Sequence, residues 1–400
     1  MRRGPERLCF VFIFLLFSGW ICPAQNIRNQ GSIDAEYRRQ AVSLAASLEI
    51  NTLAAQVLLT AVDGRDAVSQ KTRELLAKVP AGGIMLFSHN MGVDPEKTGI
   101  FIAELFRCIT AVSLPPFMAA DQEGGSVQRF RGKAALPPPL SYWEKLPENN
   151  RGVSPHNTRS NTRNSGSPLP AAMEAAFDAI EKDAAGAGRE LRRIGITLNL
   201  APVTEVLTTE NQPFLKNRSY SPDPVFVSRA AAAFVRGMQS AGVASTLKHF
   251  PGNSAADPHR SRSVLTLSGA ELEKLLEPFN ELIRREDPAV VMLSHVIVPS
   301  WDTKPSSLSL RAVRRLRGMG FTGIIMADDF SMAAAGSPVE ICAVEALAAG
   351  VDMIMAWPGD LLKIHQAILT ALDTGKLSER RLREAAERII YQKIRYGLIR

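Results

Sequence analysis

The chain has 400 residues, of which 46% are apolar and 22% charged, with a mean hydropathy of −0.02. That composition supports a sizeable core and excludes a disordered or collagen-like chain. The formal charge of +7 is spread along the sequence and only 6% of residues are aromatic, so no concentrated basic stripe marks a nucleic-acid partner; a modest basic balance instead favours approach to an anionic polymer such as a cell wall.

The chain opens with the basic MRRGPER, the apolar CFVFIFLLFSGWI and then CPAQ. A run of about 13 apolar residues matches the core of a secretory signal and falls short of the about 20 that span a bilayer. The expectation is a signal peptide over residues 1–24, cleaved after Ala24, and an exported chain, periplasmic or secreted, with no transmembrane segment. Lipid attachment at Cys22 is the second reading, and Ile21 directly before it fits that reading poorly. Of the remaining cysteines, Cys108 and Cys342 belong to no CxxC or Cys/His cluster. They predict no zinc site and are expected to be small buried side chains.

After this segment one rhythm repeats: a short apolar run, a polar or glycine-rich stretch, then a helical pattern. The runs that read as strands cover 54–62, 82–87, 116–121, 196–203, 243–250, 289–295, 323–329 and 351–357. Helical patterns cover 69–78, 97–112, 172–194, 226–241, 269–285, 309–319, 340–349 and 378–397, the last an amphipathic closing helix. Near-continuous apolar strands alternating with helices predict a parallel sheet covered on both faces. Eight of each predict a single-domain (β/α)8 TIM-type barrel over 25–400. No GxGxxG opens a helix, which argues against a dinucleotide fold. One stretch, 149–168, is rich in Asn, Ser, Arg and Pro and reads as a disordered surface insertion within the barrel.

In such a barrel the chemistry sits where strands end. Polar residues collect there: Asp121, Glu205, Lys248 and His249, His295, and the pair Asp328 and Asp329. The stretch KHFPGNSAADPHR adds Asp257 and His259, so that it carries two of the six histidines on a segment too rich in Pro, Gly and Asn to be a packed helix. The histidines lack metal-ligand helical spacing and no acidic ligand set accompanies them, so neither a metal nor another cofactor is expected. No GxSxG elbow signals a serine hydrolase. The economical chemistry is a carboxylate nucleophile with a separate proton donor, as in glycoside hydrolysis. Asp328 or Asp329 could attack; neighbours on a strand point to opposite faces, so only one can aim at the substrate.

The motifs GGIMLFSHN, DQEGGSVQRF, APVTEV, LKNRSYSPDP, KHFPGN, DPH, MLSH, GIIMADDFSM and EALAAGVDMIM, in that order from about Leu53 to Trp357, resemble the glycoside hydrolase family 3 β-N-acetylhexosaminidases of the single-domain bacterial type. The resemblance implies a retaining exo-acting β-N-acetylglucosaminidase whose partner is a carbohydrate: cell-wall fragments or chitooligosaccharides. By motif it makes Asp328 the nucleophile, gives Asp329 a supporting role, and makes His259 the acid/base with Asp257 behind it. An imidazole titrating near pH 6.5 can give and recover a proton near neutrality. Asp121, Arg218, Lys248 and His249 match positions that hold the sugar, and His295 matches a position near the site. Family members commonly read KHFPGHG where this chain has KHFPGNS, and Pro258 stands where a serine is usual. A β-glucosidase of the same superfamily and a non-catalytic sugar-binding protein are the competing readings; the first typically carries a second α/β domain and lacks the Asp-x-His loop.

Overall fold

In the computed structural model the described residues are 27–400, apart from 93, 152–169, 257–259, 333–334 and 337. The expected signal segment, most of the expected insertion, and the pair Asp257 and His259 therefore lie outside the described residues.

The strands, in chain order, are β1 Leu58–Ala61, β2 Gly83–Leu86, β3 Phe117–Ala120, β4 Gln122–Gly124, β5 Val127–Gln128, β6 Leu198–Asn199, β7 Ala244–Phe250, β8 Val290–Leu293, β9 Ile324–Ala327 and β10 Ile354–Ala356. Eight pair in the order β10-β1-β2-β3-β6-β7-β8-β9. The two ends meet through a parallel bridge between Met326 and Met353, with the Ala327 amide donating to the Met353 carbonyl at 3.1 Å. The result is the expected (β/α)8 barrel. Every residue of these eight strands is buried, which is why most read as near-continuous apolar runs rather than alternating ones; β7 is the exception, carrying Lys248 and His249 at its C-terminal end. β4 and β5 form a small antiparallel ribbon just beyond β3.

The helices are α1 Ile27–Ser47, α2 Ile50–Gln56, α3 Gln70–Lys78, α4 Pro95–Thr110, α5 Leu140–Glu144, α6 Ala171–Arg193, α7 Gln212–Leu215, α8 Pro224–Ser240, α9 Gly269–Arg285, α10 Leu310–Gly318, α11 Val339–Ala349, α12 Leu361–Asp373 and α13 Glu379–Arg395. Their starts carry legible caps: Asp94 and Asp223 each accept from an amide of the first turn and are followed by proline, and Ser268 with Glu271 forms a reciprocal capping box. Two expectations need correction. Residues 54–56 end helix α2 instead of starting β1, because an apolar buried helix end and a buried strand look alike in sequence. A helix the pattern did not show, α12, follows β10; the expected pattern at 378–397 is α13, which packs on α1 and α2.

Closure of the barrel rests on a buried carboxylate. Asp352, just before β10, is fully buried; Oδ2 accepts from Arg317 Nη2 at 2.5 Å and from the Ile325 amide at 2.9 Å. Its Oδ1 accepts from Arg381 Nη2 at 2.6 Å and Arg388 Nη1 at 3.0 Å. One side chain thus ties β9, α10 and α13 to the first residues of the last strand. Asp352→Asn leaves these guanidiniums without their shared counter-charge and is expected to lower the unfolding free energy by about 3–5 kcal/mol, read by urea denaturation.

Candidate active site

A cavity of about 270 Å3 opens at the C-terminal ends of the strands, the end where barrels of this kind carry chemistry. Its wall brings together Asp121, Arg218, Lys248, His249, Asp328 and Asp329 from the sequence-level candidates, and adds Phe87, Glu123, Arg129, Phe214 and Trp357.

Lys248 is the hub of the binding side. Its side chain is buried, and Nζ lies 2.8 Å from Asp121 Oδ1 and 2.6 Å from Glu123 Oε1. Asp121 Oδ2 also accepts from Arg129 Nη2 at 2.7 Å, while Glu123 takes a two-pronged guanidinium contact from Arg218, Nε at 2.8 Å and Nη2 at 2.9 Å. Burial alone would raise both carboxyl pKa values, yet the facing cations win. Lys248 and Arg129 hold Asp121 far below the usual carboxylate range, and Lys248 and Arg218 hold Glu123 at about 2. Three cations against two anions leave the cluster one positive charge in surplus, lining the same cavity as Asp328.

Local structure explains how these groups meet. β3 ends at Ala120 and delivers Asp121; the ribbon then turns back through Gly124 and Gly125. Gly124 has φ +103°, and a Cβ there would sit 2.3 Å from the Pro137 carbonyl oxygen, so this turn requires glycine. The turn holds Glu123 inward. On β7, the register against β8 shifts between Leu247 and Phe250; a bulge of this kind re-aims side chains, and both Lys248 and His249 line the cavity.

His249 is held from behind: Nδ1 lies 2.6 Å from Glu205 Oε1. A carboxylate accepts, so Nδ1 carries the proton. Glu205 also accepts from the Asn253 backbone amide at 2.6 Å and from Asn253 Nδ2 at 2.9 Å. This one carboxylate therefore joins the end of β7 to the start of the loop that runs on toward His259.

The two aspartates after β9 are sorted by their partners. Asp329 Oδ1 accepts from the Ser331 amide at 2.8 Å, and Oδ2 from Ser331 Oγ and Trp357 Nε1, both at 2.8 Å. Asp328 accepts only the Asp329 amide, at 2.9 Å on Oδ1, among the described residues. His295, 2% exposed, stands behind this pair and not in the cavity wall. Its Nε2 donates to the Asp329 carbonyl at 2.9 Å, and Nδ1 lies 2.7 Å from Ser307 Oγ. A carbonyl can only accept, so Nε2 carries the proton; burial lowers the imidazole pKa, against the pull of nearby Asp328, and favours the neutral ring. Among the described residues no three His, Cys, Asp or Glu side chains converge as a metal site, and no helix is long and apolar enough to cross a membrane. Cys342 is buried, Cys108 partly so, and neither forms a disulfide.

A model of the glycosyl hydrolase family 3 N-terminal domain matches residues 156–391. The chain belongs to glycosyl hydrolase family 3. It is 35% identical over 302 residues to the Beta-hexosaminidase of Methylococcus capsulatus, covering 72% of this chain and 79% of that one. It is 31% identical over 333 residues to the Beta-hexosaminidase of Stenotrophomonas maltophilia, covering 80% and 90%. The solved structure of a glycoside hydrolase family 3 beta-N-acetylglucosaminidase from a Paenibacillus species superposes with a TM-score of 0.76 at 26% identity, over 88% of this chain and 63% of that chain. This family 3 protein is a glycosidase, and its substrate is a carbohydrate.

Sequence reasoning missed Glu123, Arg129, Phe87 and Trp357 as site residues of this glycosidase. Glu123 had a signal: two cationic candidates, Lys248 and Arg218, needed more counter-charge than Asp121 supplies. Because Asp121 and Glu123 ionise lower in the folded chain than in the unfolded one, acid protonates the unfolded chain first. Their contribution to stability is complete above about pH 4.5, the ordinary value for a glutamate, and is lost as the pH falls toward 2. Lys248→Met is expected to cost about 3 kcal/mol at pH 7 and to move the acid-unfolding midpoint, followed by circular dichroism, to higher pH.

Proposed function

We propose that this family 3 glycosidase is a retaining exo-β-N-acetylglucosaminidase that removes terminal β-linked N-acetylglucosamine from cell-wall fragments or chitooligosaccharides in an exported setting. The observation that carries the reading is the sorting of the two aspartates that line the cavity: Asp329 has three donors on its carboxylate, whereas Asp328 keeps one oxygen unengaged among the described residues. A nucleophile needs a free oxygen; a fully bonded carboxylate is a scaffold. The Beta-hexosaminidase relatives support the choice of an N-acetylated sugar. A cavity of about 270 Å3, at the low end for small-ligand sites, supports exo action on one sugar unit.

In this reading Asp121, Lys248, His249 and Arg218 hold the terminal sugar. The Asp328 carboxylate attacks the anomeric carbon, forming an ester bond as the bond to the leaving oxygen breaks. His259, oriented by Asp257, gives that oxygen its proton. The same imidazole then takes a proton from water, whose oxygen displaces Asp328 and returns the sugar with its configuration retained. A histidine is suited to this exchange because both its forms are accessible near neutrality.

The test is release of 4-nitrophenol from its N-acetyl-β-glucosaminide against its β-glucoside. The first is expected to be the better substrate. Preference for the second would favour a β-glucosidase, and binding with turnover of neither would favour a sugar-binding protein. Asp328→Ala is expected to lower kcat by roughly 10,000-fold or more. His259→Ala should cost roughly 100- to 10,000-fold on a poor leaving group and much less on a good one; equal losses on both would contradict its role as the acid.

A further inference from the structure

The nucleophile's two oxygens are not equivalent, and the groups that make them so are not the ones that hold sugar. Asp328 Oδ1 accepts the Asp329 amide at 2.9 Å. Asp329 is in turn pinned at both ends: His295 Nε2 donates to its carbonyl at 2.9 Å, and Trp357 Nε1 and Ser331 donate to its carboxylate at 2.8 Å. No described residue donates to Asp328 Oδ2.

From this geometry we infer that Asp328 attacks through Oδ2, and that Trp357 and His295 are positioning residues that aim it by immobilising Asp329. The inference rests on Asp328 being the nucleophile, as proposed above. When Oδ2 bonds to the anomeric carbon, Oδ1 becomes the carbonyl oxygen of the ester and keeps the same amide. That hydrogen bond is stronger to a carboxylate than to an ester carbonyl, so it favours Asp328 as leaving group when water displaces it.

Trp357 is fixed from its other side too. Its ring stacks on Phe87, centroids 5.0 Å apart and planes 15° apart, and the Arg129 guanidinium lies 5.5 Å from the Phe87 ring centre. Arg129 binds Asp121. A continuous path therefore runs from the carboxylate that the sugar-binding lysine holds to the indole that aims the nucleophile, linking the ends of β3, β2, β10 and β9. His295 is clamped between Ser307 and Asp329 and stacks on Phe330 at 5.3 Å. Neither residue needs to touch the reacting atoms to matter, because a misplacement of an attacking group by about 1 Å costs on the order of 100-fold.

The test separates aiming from binding. Trp357→Phe keeps a ring to stack on Phe87 and deletes the N–H donor, along with one ring of the indole. On 4-nitrophenyl N-acetyl-β-glucosaminide it is expected to lower kcat roughly 10- to 100-fold, with KM changed by no more than about twofold. Ser331→Ala, at an exposed position, removes a second donor to the same oxygen and is expected to lower kcat in the same direction. In an Asp328→Ala background, with azide supplying the nucleophile, adding Trp357→Phe should leave the rescued rate unchanged, since there is no carboxylate left to aim. A loss that persists under azide, or one carried by KM, would show that Trp357 acts on the sugar and overturn the inference. An unchanged kcat in both single variants would also overturn it. If azide fails to rescue Asp328→Ala at all, the nucleophile assignment itself falls, an outcome distinct from the other two.

Discussion

The mouth of this barrel depends on one ammonium group. Lys248 Nζ bridges Asp121 and Glu123 in a buried position, and neither carboxylate could stay ionised there without it and the flanking arginines. Taking charges out of water costs several kcal/mol each. The cluster therefore works only as a unit, with Arg129 on one carboxylate and Arg218 on the other. That unit joins the end of β3, the β4–β5 ribbon, the loop after α7 and the end of β7, segments far apart in sequence. A polar sugar entering such a site meets donors and acceptors that are already oriented, so little of its binding energy goes into rearranging them.

The remaining carboxylates divide the labour. Glu205 and Asp329 are saturated with donors and act as scaffold, the first behind His249, the second beside Asp328. Asp328 keeps an oxygen for the cavity. Asp352, at the opposite end of the barrel, is saturated as well, and there the arginines serve closure of the sheet. In the proposed mechanism, what distinguishes the reactive carboxylate from the structural ones is not its charge or its motif but how many donors have claimed it.

Much of this was legible in the sequence, for physical reasons. Strands buried on both faces are mostly apolar, so the barrel strands stood out as short apolar runs, and the barrel rule then put Asp121, Lys248, His249 and Asp328 at one end. Short-range pattern could not separate the end of α2 from β1, since both are buried and apolar. It also could not say which of Asp328 and Asp329, both in the cavity wall, keeps an unclaimed oxygen, because the answer lies in donors from Ser331 and, from the neighbouring strand end, Trp357. Glu123 was hidden inside a glycine-rich ribbon whose inward turn is a tertiary fact. His295 stands behind Asp328 and Asp329, and its ring contacts are with Ser307 and Asp329, a distinction that strand-end position alone does not carry. In KHFPGNSAADPHR, Lys248, His249 and Asn253 are tied into the barrel through Asp121, Glu123 and Glu205, while Asp257 and His259 lie outside the described residues.

The central claim is that Asp328 bonds to the sugar and Asp329 does not. The most direct measurement is to trap the intermediate with a slowly turned-over fluorinated N-acetylglucosaminyl substrate, digest the protein, and locate the added mass by tandem mass spectrometry. The account predicts a single adduct on Asp328; an adduct on Asp329, or none while the sugar is released, would contradict it.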